Sequence, residues 1–132
     1  MPRIKSSQFG TSPFQQLFHN EGIAHNWNDL SETISADGVL TKQLKENVRR
    51  ILAYGNGCAY CQAKGIPMEP ADIKESYAIA FAEVFLVQRE KTEERFFVVL
   101  KEVFSDEEIS ELIAFICFST AQQYFGAMMG LK

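Results

Sequence analysis

Two stretches of this chain leave little choice of architecture. From Tyr77 to Val87, ten of eleven residues are apolar, and Leu112 to Phe118 is apolar without a break. Helices with that composition have no solvated face and belong in an interior or an interface. The segments around them repeat at helical spacing, and none alternates as a half-buried strand would. Ile23, Trp27, Leu30 and Ile34 form one apolar stripe, which Asp37-Gly38 ends. Thr41 is placed as an N-cap for a second helix with the stripe Leu44, Val48, Ile51 and Leu52, broken by Gly55-Asn56-Gly57. A short third helix is expected from about Gly57 to Gly65, with Cys58 and Cys61 in its first turns and Pro67 beyond it. Pro70 suits the first position of a fourth helix, from about Ala71 to Gln88. A fifth covers Glu93 to Phe104. Ser105 and Glu108 make a capping box for the last helix, which runs to about Met128, and Asp106 and Glu107 favour its positive end. A short helical segment around Phe14 to Phe18 precedes them all. The fold class is therefore all-α, a bundle of about six helices. Covering both apolar segments exceeds what one short chain can enclose, which predicts an oligomer.

Composition narrows the function. A chain of 132 residues fits one domain, 1–132, and no linker divides it. Seventeen acidic against thirteen basic residues give a net charge of −4, with no basic block to neutralise phosphates, so nucleic acid is not an expected partner. Met1 to Gly10 is polar and lacks the apolar core of a signal peptide, and the apolar runs are too short to span a bilayer. A cytoplasmic protein with no membrane partner is expected. Three cysteines are poor material for a disulfide framework, but two of them stand in a C-x-x-C pair.

That pair, in Asn56-Gly57-Cys58-Ala59-Tyr60-Cys61, carries the strongest chemical signal. At a helix start, unpaired N–H groups favour a thiolate and lower its pKa from about 8.5 toward roughly 3.5–7.5. A thiolate attacks a peroxide or a disulfide, and a neighbouring thiol resolves the product. The alternative is two small buried hydrophobes. Zinc would need four ligands, and only Cys117, His19 and His25 remain, at no ligand spacing; no metal or cofactor is indicated. Cys117, inside an apolar run, is expected in the core. His19 and His25 are expected in solvent. Glu46 points away from its helix stripe and reads as a solvated charge unless a neighbour covers it. Glu83, among Ile79, Ala80, Leu86 and Val87, is either a buried ion pair, with Arg49 or Arg50, or an active-site acid.

Taken together, these residues resemble the carboxymuconolactone decarboxylase family, and within it the alkylhydroperoxidase D-like proteins. Leu40-Thr41, then Glu46-Asn47-Val48-Arg49, then the C-x-x-C segment stand at that family's intervals. Phe104 to Leu112 is similar to the start of its last helix, and Ile23-Ala24-His25-Asn26-Trp27 also fits; the likeness spans about Phe14 to Leu131. The resemblance implies an all-α homo-oligomer, trimeric or hexameric. It implies a thiol-dependent peroxidase or disulfide reductase, acting on a hydroperoxide or disulfide, with a thiol or lipoyl-protein electron donor. It makes Cys61 the nucleophile, Cys58 the resolving thiol and Glu46 part of a proton relay. One position departs: the family's relay histidine falls at Gly65, so Glu46 acts through water, Tyr60 or Glu83 substitutes, or disulfide reduction is the activity. Competing readings are a redox sensor or binding module without turnover, and a decarboxylase.

Overall fold

The structure is a computed structural model describing residues 2–132. Among the described residues there are six α-helices and no strand: α1 Glu21–Ser35, α2 Lys42–Gly55, α3 Ala59–Gln62, α4 Ile73–Gln88, α5 Glu94–Leu100 and α6 Asp106–Met128. The all-α expectation holds. The segment expected near Phe14 is one 3-10 turn, Gln15–Leu17.

Most helix starts are set by a side chain that accepts an orphan backbone N–H. Asn20 caps α1 and Thr41 caps α2. Ser105 and Glu108 form the full capping box of α6. The fourth helix starts later than Pro70 suggests. Asp72 accepts the N–H of Glu75, and its extended backbone places the first helical residue at Ile73. α5 is also shorter than expected. Ser105 must be extended to cap α6, so residues 101–104 close as tight turns instead of continuing the helix.

α2 packs against both α4 and α6. Leu44, Val48 and Leu52 from α2 meet Ala78, Phe81 and Ala82 from α4 and Leu112, Phe115 and Ile116 from α6, with Leu100 and Phe104 closing one end. α1 buries none of its residues fully and lies against α6 and α2. Its Trp27 joins Phe14, Phe18, Phe118 and Phe125 in an aromatic cluster; the rings of Phe18 and Phe125 stack at 4.5 Å.

The apolar segments are not covered on all sides within one chain. On α4 Ala80, Glu83 and Val87 are exposed, and on α6 so are Ala114 and Cys117. Both expectations for Glu83 and Cys117 are thereby corrected: Glu83 is neither buried nor paired with Arg49 or Arg50, and Cys117 is outside the core. Apolar composition all round a helix carries no phase, and α2 and α6 decide which face turns inward. The buried acid of α4 is Glu75, which accepts a 2.8 Å bond from Asn47 Nδ2. Asn47 also bonds both backbone groups of Met68, pinning the loop before α4. Among the described residues no helix is long and apolar enough to cross a membrane.

Candidate functional site

The turn that ends α2 presents the two cysteines. Gly57 has φ +69°, a conformation that glycine adopts without steric cost. It reverses the chain after Asn56, so that Cys58 becomes the N-cap of α3 and its sulfur accepts the N–H of Cys61 at 3.2 Å. α3 is a single turn, shorter than expected, and its dipole is correspondingly small. Cys58 and Cys61 are joined in a disulfide, with Cα atoms 5.2 Å apart, and Cys117 is free.

Buried amides fix this turn. Asn56 donates to Gln123 Oε1 at 2.7 Å and to Thr120, and accepts from Arg89 at 2.6 Å. Gln123, 2% exposed, passes the connection to the backbone carbonyl of Arg49 at 3.2 Å. Behind the sulfurs, α6 comes close because residue 126 is glycine; a β-carbon there would stand 3.3 Å from the sulfur of Cys58.

The two cysteines are not equivalent. Cys58 is 0% exposed, whereas Cys61, at 9%, lines a pocket of about 360 Å³. Its lining includes the aromatic Phe14, Phe18 and Trp27, the charged or hydroxylated Glu46, Arg49, Tyr60 and Lys64, and several serines and amides. The structure therefore brings Glu46 and Cys61 to one cavity, while Cys58 lies behind it. Tyr60 shares the pocket; Glu83 does not line it. His19 and His25 are exposed, His19 against the Lys5 carbonyl and His25 beside Asp29 at 3.1 Å.

Glu46 is covered by its own helix. Arg49 grips both carboxylate oxygens at 2.6 and 3.0 Å, and Arg50 adds a 2.9 Å bond. Burial pushes its pKa up, but the hydrogen bonds and charges of the two arginines outweigh this and hold it below the ordinary range. Arg49 then reaches the carbonyl of Cys61 at 3.1 Å. Lys64 also faces the pocket, its ammonium 4.7 Å from the centre of the Tyr60 ring. Lys64 was missed by motif reasoning, and Arg49 was considered as a partner of Glu83 where it in fact binds Glu46. Arg49 had a signal, since Glu46 stands three and four residues before two arginines, the spacing at which helical side chains meet.

Gly65 cannot simply receive an imidazole. Its φ is +147°, and a β-carbon there would lie 2.6 Å from the guanidinium carbon of Arg50. A histidine would have to push Arg50 off Glu46. Among the described residues no group of three or more His, Cys, Asp or Glu is placed to hold a metal ion. No family model, no curated protein and no solved structure matches the chain.

Proposed function

We propose that this chain is a thiol oxidoreductase in which Cys61 is the attacking thiolate and Cys58 the resolving thiol. The observation that carries the reading is the asymmetry of the pair: a bonded dithiol whose second residue, Cys61, lines a pocket and whose first, Cys58, is enclosed. The cations of Arg49 and Lys64 favour a thiolate at Cys61. Toward a hydroperoxide, the Cys61 thiolate takes the distal oxygen, the O–O bond breaks, and the alkoxide gains a proton and leaves as alcohol. Cys58 then attacks the sulfenic sulfur, water departs, and the disulfide closes. Toward a disulfide, Cys61 forms a mixed disulfide and releases one thiol; Cys58 releases the second. Either way two electrons leave the dithiol, and an external dithiol must return them. A carboxylate held ionised by two arginines is a weak base, so Glu46 here anchors Arg49 beside Cys61.

The test is turnover with cumene hydroperoxide or 2-hydroxyethyl disulfide, with dihydrolipoamide as the dithiol donor. The expected result is loss of two thiols per chain in the first cycle, Cys117 remaining reduced, followed by steady consumption of donor. Oxidation of the pair with no steady phase would leave a sensor that merely toggles.

We also propose a homo-oligomer, trimer or hexamer. Ile73, Val87, Val98 and Val99 are exposed, and an apolar depression lies between α4 and α5 at Ala80, Phe81, Val84, Phe96 and Val99. Exposed apolar surface of this kind supports an association face. Light scattering at micromolar concentration should give a multiple of the chain mass; a single-chain mass refutes this.

A further inference from the structure

Charge in the pocket does not balance. Glu46 is the one carboxylate among the residues lining it, and both Arg49 and Arg50 bind that carboxylate. Lys64 has no carboxylate partner among the described residues. Partial burial and the neighbouring charge of Arg49 lower its pKa, against an opposing pull from Glu46, so the ammonium is under-compensated. The lining thus carries two cations, Arg49 and Lys64, against one carboxylate that a third cation, Arg50, engages from outside the pocket, a positive site in a protein whose net charge is −4. The aromatic side chains of Phe14, Phe18 and Trp27 line the same cavity, among polar groups such as Asn28 and Gln122.

We infer that the pocket at Cys61 is a binding site for an organic anion with an apolar body, its carboxylate at Lys64 and Arg49 and its body against those aromatic side chains. The inference rests on the oxidoreductase reading and names its substrate class: a disulfide or hydroperoxide carrying a carboxylate close to the reactive bond. Reduction of the pair places a thiolate among the same cations. The anion therefore binds the oxidised protein, whose disulfide is neutral, more tightly than the reduced one.

The disulfide form allows a test that needs no turnover. Trp27 is the chain's single tryptophan and lines the pocket, so its fluorescence reports occupancy. Phenylacetate and its neutral analogue phenylacetamide share a body and differ in charge. Phenylacetate should quench saturably and bind the oxidised protein about fivefold or more tightly than the amide, an advantage that shrinks with added salt. Lys64→Gln should remove most of it. Lys101→Gln, which takes the same charge from the exposed end of α5, should not. Calorimetry on the same pairs covers a silent fluorophore. Equal binding of acid and amide, no binding of either, or an advantage that survives Lys64→Gln overturns the inference. Anion-selective binding in a protein that fails to turn over would instead sink the oxidoreductase reading and leave the anion site standing.

Discussion

Cys61→Ser is expected to abolish disulfide and peroxide reduction, lowering the rate by a factor of at least about 10³, because the enclosed Cys58 has no path to an external substrate. Cys58→Ser should behave differently. Its hydroxyl can keep the N-cap role that the Cys58 sulfur plays toward the N–H of Cys61, so the turn survives and Cys61 remains in its pocket. With no resolving thiol, Cys61 should accumulate as a sulfenic acid or a mixed disulfide, visible in intact-mass spectra and by dimedone labelling. The labelling pattern decides the assignment. If Cys58 is trapped in Cys61→Ser, or if Cys61→Ser retains turnover, the roles are reversed.

Glu111→Ala should cost about 3–5 kcal/mol, a large part of the roughly 5–15 kcal/mol that holds a domain of this size together. Lys45 is 2% exposed, and its ammonium has two partners, the Ala36 carbonyl at 2.8 Å and Glu111 at 3.1 Å. Glu111 also accepts the Leu40 N–H at 2.9 Å, joining α6 to the loop before α2. Removing the carboxylate leaves a charge enclosed with a single carbonyl. Adding Lys45→Met should recover most of the loss, since methionine fills similar volume without charge. Urea unfolding of the two single variants and the double closes the cycle. A Glu111→Ala effect under about 1 kcal/mol, or no rescue, refutes it.

Acid should act through the same carboxylate. Burial raises the pKa of Glu111, but the Leu40 N–H and Lys45 bring it below the ordinary 4.5; Glu46 and Glu108 are lowered likewise. A folded pKa below the unfolded one gives stability that is present above the unfolded value and is lost as pH falls through the folded one. Stability should thus decline below about pH 4.5, and less steeply in Glu111→Ala.

What was legible in the sequence was local. Thr41, Ser105 and Glu108 announce helix starts because a cap needs only its own next turn, and Gly57 with the C-x-x-C pair announces the disulfide turn for the same reason. Where several elements decide, sequence was less informative. Nothing local marks Lys45 for burial; it is buried because the Ala36 carbonyl and Glu111 arrive from two other segments. Cys117 reads as core and is exposed, because α6 turns Phe115 and Ile116 inward instead. The pocket gathers Phe14, Trp27, Glu46, Cys61 and Lys64, residues whose meeting no periodicity encodes.

Gly126 has a consequence for how the chain acquires its bond. The sulfur of Cys58 is roofed by helix backbone, and a roof of that kind cannot swing aside as a side chain can. Three thiols permit three pairings during oxidative folding. Once α6 docks, Cys58 is shut away from Cys117 and from any second molecule, and Cys61 is the partner within reach. The docked fold therefore favours the Cys58–Cys61 pairing over the other two.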